Sequence, residues 1–446
     1  MVSSWRKIAP RSGHQAIQKY YNYLYRANYE AWVVLDPVIT VHPDTVFYEC
    51  FSKDESSYGK LSCNYNCFEQ LGDRSNGTTN VDYSYNLYRE FQKIREYRQT
   101  SLEIDPAGFS VASEGDDMFH EPKIDLPESW QKGFLRVSSA MAFPNAKLSL
   151  HPQDIYMICQ ILKQKKDWRT KGRALRFQLT PGKPVKILFE PWKISYECKC
   201  SEYIGTEETE ISVWGRRRIL ILERLIPIAK TFHVYLLGTG MPYFFEVDLG
   251  DMTFTLGLSG WSKNNFSEGS SFEQFGSRTA VGEYECEQVF NVLEDEWLCS
   301  VDTIQEETLM NEDKIMAVLN AYTSAGRVIY DPTTQMYRRR ELFRDPVDVK
   351  TSLEKSPLEQ KAEEILQSNR IQNVEINETA EGKKMKATVR GTQGGTYPIE
   401  VFLTPNGSID RKRLRCSCHL GKSRFVKGLC EHVLVGRQLL LNQKKK

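Results

Sequence analysis

Three cysteines and a histidine near the C-terminus constrain this sequence more than any other feature. Cys416 and Cys418 are separated by one residue, and after a spacer of eleven residues Cys430 and His432 repeat that spacing. Three thiols and an imidazole supply the four ligands of a closed tetrahedral Zn2+ site. The spacing therefore predicts a structural zinc site, with no open position for a substrate water. The alternative is that these three cysteines and the histidine lie in a reduced core and share this spacing by chance.

The residues around this motif predict the elements that would carry it. Thr396–Leu403 is a strand-like run, and Pro405-Asn406-Gly407 is a turn signal. From Glu431 to Leu441 the sequence is dense in Val and Leu, which favours a short packed helix. Strands are thus expected to deliver the first Cys pair, and a helix start is expected to deliver the Cys-x-His pair.

This arrangement resembles the SWIM zinc finger, in which Cys-x-Cys follows a strand pair and Cys-x-His precedes an apolar helix. The strand Met385–Arg390, the loop Gly391–Gly395 and the hairpin sequence TYPIEVFLTPNG match the same module, and the similarity covers roughly the last 70 residues. The resemblance implies a structural Zn2+ cofactor, no catalytic role, and binding to nucleic acid or to protein. His419 is an alternative fourth ligand, although a solvent-facing loop position is the simpler interpretation.

The charge of the chain is concentrated at this end. The whole sequence has a net charge of +1, whereas from Asp410 to Lys446 eleven Lys and Arg residues stand against Asp410 and Glu431, a net charge of +9. A basic finger of this kind is the electrostatic footprint of a site for DNA, RNA or another polyanion. A solvated basic tail is the alternative. The predicted nucleic-acid contacts in this segment are Arg413, Arg415, Lys422, Arg424 and Lys427.

The segment 271–350 resembles a winged helix. Its predicted helices and strands follow in the order of that fold: Val301–Leu309, Glu312–Tyr322, Arg327–Tyr330 and Met336–Leu342. The turn Asp331-Pro332-Thr333-Thr334 would connect the two strands and form the wing.

Two arginines on the second of these strands are predicted to contact nucleic acid. Arg338 and Arg340 share a face, because alternate side chains of a strand point the same way. On a wing, two guanidinium groups could lie along a phosphate backbone. Pairing with surface carboxylates such as Glu341 is the alternative.

The strand and helix patterns along the chain predict an α+β multidomain protein with β-rich N-terminal and middle domains. The 446 residues allow two to four domains, and the hydrophobic content of 40% is ample for packed cores. Within the first domain Phe134–Met141 is interpreted as a strand and His151–Lys166 as an amphipathic helix. The predicted boundaries are 1–168 for an N-terminal α+β domain, 169–270 for a β-rich middle domain, 271–350 for the winged-helix-like domain, and 351–446 for a linker helix with the SWIM-type zinc finger.

The wider order of segments resembles bacterial multidomain SWIM-containing proteins. The segments that carry this resemblance are Gly133–Phe143, Phe189–Trp192, Val213–Pro227, Leu237–Phe245 and Thr255–Trp261. The resemblance implies a non-enzymatic component that acts beside a MoxR-type ATPase and a von Willebrand A domain protein. A protein-interaction adaptor is thus the alternative to a nucleic-acid-binding protein.

The remaining motifs do not form the constellation of an enzyme. Gly238-x-Gly240 lacks the third glycine of a dinucleotide loop, and Ser259 lies outside a Gly-x-Ser-x-Gly elbow. Cys63-x3-Cys67 and Cys198-x-Cys200 lack a second ligand pair nearby, and we interpret them as structural thiols. The sequence therefore predicts a binding protein rather than a catalyst.

The sequence also predicts a cytoplasmic protein. Its first residues lack the apolar run of a signal peptide, and charged residues interrupt the longest apolar stretch, so no membrane contact is expected. Eleven cysteines, an odd number, fit reduced thiols in a reducing compartment.

Overall fold

The protein has a mixed α/β structure with several antiparallel sheets in a computed structural model. The structure describes residues 36–143, 145–165, 174–260, 265–267, 281, 283–343, 349, 357–368, 370–379, 382–391, 394–403, 413–418 and 430–442. The chain separates into two compact units, residues 1–130 with 251–256, and residues 131–250 with 257–446. The four predicted domain boundaries stay predictions.

Helices occupy a minority of the described chain. The α-helices in chain order are α1 Tyr85–Phe91, α2 Glu128–Met141, α3 Pro152–Gln164, α4 Glu283–Glu296, α5 Val301–Thr308, α6 Glu312–Ser324, α7 Pro357–Gln367 and α8 Glu431–Asn442. Two 3-10 helices span Tyr65–Cys67 and Arg216–Leu225. Among the helices that the structure describes, none is both long and apolar enough to cross a membrane.

Strands form most of the regular structure. In chain order they are β1 Val38–Val41, β2 Thr45–Phe51, β3 Ser57–Asn64, β4 Gly77–Asn80, β5 Thr100–Asp105, β6 Gly108–Ser113, β7 Phe119–Pro122, β8 Ala146–Leu150, β9 Leu175–Leu179, β10 Pro184–Phe189, β11 Ile194–Glu202, β12 Thr209–Val213, β13 Thr231–Leu236, β14 Tyr243–Asp248, β15 Met252–Leu258, β16 Leu298–Cys299, β17 Val328–Asp331, β18 Met336–Arg339, β19 Ile371–Thr379, β20 Gly382–Arg390, β21 Thr396–Leu403 and β22 Arg415–Cys416.

The first unit is built from two antiparallel arrays of strands. One follows the order β4-β1-β2-β3-β15 and the other the order β5-β6-β7. Ile39, Val46, Phe109 and Val111 are buried in a common core, onto which α1 adds Leu87. This packing fits the predicted β-rich N-terminal region, because β-branched and aromatic side chains pack well on a pleated surface.

In the second unit, a buried carboxylate of α3 accepts hydrogen bonds from side chains of β11. Asp154 lies in the first turn of α3, and its oxygens accept hydrogen bonds from Tyr196 Oη at 2.7 Å and from Ser201 Oγ at 2.6 Å. These bonds satisfy a carboxylate that is almost fully buried, which would otherwise be costly. The predicted helix His151–Lys166 is confirmed as α3, which spans Pro152–Gln164.

The predicted strand Phe134–Met141 is wrong, because these residues belong to α2. Trp130, Phe134, Val137 and Met141 are all buried and recur every three or four residues, which places them on one face of a helix. A short apolar run such as this one does not distinguish a strand from a buried helix.

The segment from α4 to β18 combines three helices with a small sheet. Its elements follow the order α4, β16, α5, α6, β17 and β18, and the strands lie in the order β16-β18-β17. Asn311 caps the start of α6 by accepting a hydrogen bond from the Lys314 backbone N–H, and Gly326 with φ +74° follows its end. The two predicted helices and both predicted strands are present, and the second strand ends earlier, at Arg339.

The C-terminal elements form a sheet with helices packed on one side. Strands β19, β20, β21 and β22 are antiparallel neighbours in that order. Apolar residues of β20 and β21, among them Val389 and Val401, pack with α7 and α8 in one buried cluster. Gly436 allows α8 to approach closely, because a Cβ atom there would lie 2.7 Å from Val401 Cγ2. The sheet and α8 together position the candidate metal ligands.

Candidate metal centre

Strand pairing places the first candidate ligand on the inner side of the C-terminal sheet. Cys416 pairs with Ile399, whose side chain is buried in the cluster beneath the sheet. Directly opposed residues of antiparallel strands point to the same face, so the thiol of Cys416 points toward α8. Cys418 follows two residues later and is also buried.

The second candidate pair comes from the beginning of α8. The carbonyl of Cys430 accepts the backbone N–H groups of Val433 and Leu434 at 3.1 and 3.2 Å, so the helix starts at this residue. His432 lies in the first turn and points to the same buried space. The apolar residues after His432 pack α8 against the sheet, and this packing brings the two pairs together.

The four side chains form a buried group that could hold a metal ion. One ligand atom from each of Cys416, Cys418, Cys430 and His432 lies within 4.8 Å of the others. The Sγ atom of Cys416 lies 3.9 Å from Nδ1 of His432. Ligand atoms about 2.0 to 2.3 Å from a tetrahedral ion lie roughly 3.5 to 3.8 Å apart, so the observed spacing suits a common centre.

The thiols influence one another strongly. Hydrogen bonding by the Cys430 thiol is the largest cause that lowers the pKa of Cys416 to about 4, and burial opposes it. The same contact raises the pKa of Cys430 far above its usual value, because a thiolate beside it opposes a second ionisation. A divalent cation would offset this repulsion and allow all three sulfurs to be thiolates.

The imidazole ring of His432 is held between an aromatic ring and a glycine. Its centroid lies 4.3 Å from that of Tyr397, and a Cβ atom on Gly391 would lie 2.6 Å from Nε2. While Nδ1 faces the sulfurs, the buried Nε2 lies 3.6 Å from Oε1 of Glu431. At this distance the carboxylate makes no hydrogen bond to Nε2, so the ring is positioned by its packing against Tyr397 and Gly391.

Arg338 and Arg340 were predicted to contact nucleic acid, but neither side chain faces solvent. They share a face of the hairpin, but that face is buried, and their exposed fractions are 4% and 1%. Arg338 Nε donates to Asp331 Oδ2 at 2.9 Å, and Arg340 Nη2 donates to Ser138 Oγ at 3.0 Å. Alternation along a strand fixes which residues share a face, but it does not fix which face is covered. We therefore exclude both from the candidate phosphate contacts.

The remaining predicted nucleic-acid contacts lie just before β22, on it and after it. Arg413 and Arg415 are exposed, and the Arg415 side chain is 84% exposed. Lys422, Arg424 and Lys427 lie outside the described residues, as does the alternative ligand His419.

The other cysteine pairs do not extend the metal centre. Cys63 and Cys67 lie at the end of β3 and in the following 3-10 helix, and Cys198 and Cys200 both lie on β11. Over the described ranges, the C-terminal group is the one set of three or more Cys, His, Asp or Glu side chains whose ligand atoms lie close enough together to hold one ion. Burial raises the pKa of Cys63 to about 11, which keeps that thiol protonated at neutral pH.

Comparison with known proteins leaves the family of this chain open. No family model matches it, and no curated protein matches it. A solved structure of proliferating cellular nuclear antigen from Entamoeba histolytica aligns with a TM-score of 0.39 at 10% identity, over 53% of this chain and 94% of that one. A chain of the PCNA2-PCNA3 complex from Sulfolobus tokodaii aligns with a TM-score of 0.40 at 12% identity, over 54% and 95%.

Some residues of the site carry no ligand atom and were not predicted from the sequence. Gly391 and Tyr397 shape the space around His432, and Glu431 lies beside its outer nitrogen. The adjacency of Glu431 to a candidate ligand was an available signal. The contact between Gly391 and His432 joins residues far apart in the chain, and only the folded sheet and helix bring them together.

Proposed function

We propose that the protein is a zinc-stabilised, non-enzymatic binding protein whose C-terminal part, residues 351–446, comprises a linker helix and a SWIM-type zinc finger that contacts nucleic acid. The buried group of three thiols and one imidazole within 4.8 Å of one another supports this proposal. Soft thiolate ligands with imidazole in a closed tetrahedral set favour Zn2+ over Mg2+ or Ca2+.

In this proposal zinc is structural. The ligands come from β22, the residues after it and the start of α8, so a bound ion would link these elements, and binding would stabilise the folded state. The exposed Arg413 and Arg415, with the basic spacer between the ligand pairs, supply positive charge for phosphate groups.

Metal analysis of the purified chain together with a nucleic-acid shift assay tests this function. We expect one zinc ion per chain in the wild type, loss of zinc in Cys430→Ser, and loss of nucleic-acid binding in the same variant. Cys67→Ser removes an exposed thiol outside the cluster and is the matched control, which should keep both. A wild-type chain without zinc, or Cys430→Ser with zinc retained, would contradict the proposal.

The second candidate function is an adaptor that docks a MoxR-type ATPase or a von Willebrand A domain protein. The segment from α4 to β18, which we propose is a winged-helix domain, favours protein contact over DNA contact. Its α6 begins with exposed Glu312 and Asp313 and buries most of its remaining length, so it presents no basic surface to a DNA groove. Pull-down of such a partner that survives nuclease treatment and about 0.5 M salt, where surface charges are strongly screened, would support this function.

A further inference from the structure

The C-terminal sheet has two faces of opposite character. On β20 the apolar side chains of Met385, Ala387 and Val389 point to the buried side and alternate with the polar residues of the same strand. Lys384, Lys386 and Arg390 therefore point to the other side, away from α8 and the metal ligands. We call this side the outer sheet face.

Strand register extends the outer sheet face across the neighbouring strands. Lys386 lies opposite Glu400 on β21, and Glu400 lies opposite Arg415 on β22. Directly opposed side chains lie on one face about 4.5 to 5.5 Å apart at Cβ, so these three form a row across the sheet. Arg415 thus points outward, while its neighbour Cys416 points inward to the metal centre.

Glu400 forms ion pairs with two cations of this face. Its Oε1 lies 2.5 Å from Lys384 Nζ, and its Oε2 lies 4.0 Å from Arg415 Nε. Hydrogen bonding from Lys384, aided by the charges of Lys386 and Arg415, lowers the pKa of Glu400, so this carboxyl group is ionised at neutral pH. The carboxylate restricts the positions of the cations around it.

A further guanidinium is fixed on the same face. Arg413 lies over the ring of Phe402, with its Cζ atom 4.5 Å from the ring centroid. Phe402 points outward because it alternates with the inward-facing Val401 and Leu403. A guanidinium held over an aromatic ring has lost part of its conformational freedom before a ligand arrives.

The outer sheet face is therefore a basic surface. Among its described strand residues, the only carboxylates are Glu375, placed there opposite Lys386, and Glu400. The cations are Lys384, Lys386, Arg390, Arg413 and Arg415. Residues two apart on a strand are separated by about 6.8 Å, so the cations lie in rows rather than at one point.

We propose that the outer sheet face binds the phosphate backbone of a nucleic acid, on the side of the sheet opposite the metal centre. This inference rests on the proposed function, and it places the main contacts on the strands of the sheet rather than on the segment 271–350. Rows of cations complement a line of phosphates. Thr388 and Pro398 lie between the cations, and the ring of Phe402 on this face is only 4% exposed and lies beneath Arg413. None of these residues offers an open aromatic anchor of the kind that concentrates binding energy in a protein interface.

Salt-dependent binding by the full chain tests the proposal. The triple variant Lys386→Ala/Arg390→Ala/Arg415→Ala removes three cations of the outer sheet face without touching a ligand. With a labelled DNA duplex as probe, the slope of log K against log salt should decrease in magnitude by about 2.7, and with a labelled single strand by about 2.1, if each cation contacts one phosphate.

Lys383→Ala is the matched control, because Lys383 lies on the same strand but points to the other side and pairs with Glu378 at 3.2 Å. It should bind with the wild-type slope. Zinc content is measured for every variant, so that loss of the fold is distinguished from loss of contacts.

Three results would overturn the proposal. If the wild type binds nucleic acid and the triple variant binds with an unchanged slope, the outer sheet face is not the site, although the proposed function stands. If the zinc-loaded wild type binds neither probe, nucleic acid is not the ligand, while the metal centre stands. If poly-glutamate competes as effectively as DNA, the face binds an acidic protein partner instead.

Discussion

His432 and Gly391 lie in direct contact, so that a Cβ atom on Gly391 would be 2.6 Å from Nε2 of the imidazole ring. The same Cβ atom would lie 3.0 Å from the ring of Tyr397, which packs against His432 on its own side. Gly391 thus provides the space in which the only nitrogen ligand of the cluster is oriented. A residue without a side chain is in this way part of the candidate metal centre.

Replacement of Gly391 by alanine should weaken metal binding. The added methyl group would displace the His432 ring, and loss of ligand orientation typically costs about 10 to 100-fold in metal affinity. Competition with a coloured chelator measures the zinc affinity. Gly77→Ala is the control, because a Cβ atom at Gly77 meets nothing within 4 Å, and it should leave the affinity unchanged. Equal affinities of the two variants would refute this role of Gly391.

Replacement of Gly436 by alanine should destabilise the C-terminal module. A Cβ atom there would lie 2.7 Å from Val401 Cγ2 and 2.9 Å from Met385 Cε, in a packed interface between α8 and the sheet. Overpacking of this kind costs about 1 to 3 kcal/mol. Alanine gains about 1 kcal/mol over glycine in helix propensity, so the upper part of the overpacking range outweighs this gain. Hydrogen exchange of the α8 amides reports the change. Gln367→Ala, on the exposed side of α7, should have no comparable effect.

The ion pair between Asp331 and Arg338 should stabilise the hairpin of β17 and β18. Both side chains are largely buried, and Arg338→Met would leave a buried carboxylate without its guanidinium partner, at a cost of about 3 to 5 kcal/mol. Urea unfolding measures the loss. The double variant Arg338→Met/Asp331→Asn should recover much of it, because the unpaired charge is then absent. Failure of the second substitution to recover stability would show that packing, not charge, dominates.

Arg338→Met also tests the exclusion of this residue from nucleic-acid contact. At a temperature where the variant is folded, its affinity for DNA and the salt dependence of binding should equal those of the wild type. A smaller salt slope would mean that Arg338 reaches phosphate after all.

Asp36 should make stability depend on pH. Burial is the main cause that raises its pKa from 3.8 to about 6, and hydrogen bonding with Asp82 adds to it. Because the native pKa exceeds the unfolded one, its contribution to stability is present below about pH 4 and is lost as the pH rises through 6. Asp36→Asn should therefore be more stable than the wild type at pH 7, by about 1 kcal/mol after allowance for solvent screening.

Thermal unfolding of both proteins across pH 4 to 8 checks this prediction. The difference between them should shrink to zero below about pH 4, where Asp36 is protonated in both states. The asparagine can still accept the Tyr83 N–H, which donates to Asp36 Oδ1 at 2.9 Å, so the hydrogen bond is preserved. A difference that does not vary with pH would contradict the assigned titration.

Local patterns were sufficient for the elements around the metal centre. The predicted strand Thr396–Leu403 coincides with β21, and the predicted helix Glu431–Leu441 lies within α8. These elements are specified by their own alternation or apolar density and by clear turn signals. The four candidate ligand positions follow from spacing alone, because three thiols and an imidazole at these intervals suit a metal ion.

Predictions from local sequence patterns were wrong where contacts with a distant part of the chain determine which side chains are buried. The apolar run of Phe134–Met141 fitted a strand as well as a helix, and its place in α2 depends on the core into which it packs. Arg338 and Arg340 share a face as expected, but Asp331 and Ser138 accept their hydrogen bonds in a buried environment. The sequence of Met385–Arg390 shows the alternation of apolar and polar residues. It does not show that α7 and α8 cover the apolar side of this strand.

The sequence by itself determined the candidate ligands and the strand and helix that flank them, because residue spacing and periodicity act over a few residues. Only the tertiary structure decided that Gly391 faces His432, that two arginines of the hairpin are buried, and that five cations lie together on the outer sheet face. Burial and proximity arise from packing between elements distant in the chain, and periodicity fixes which side chains share a face without fixing what that face meets.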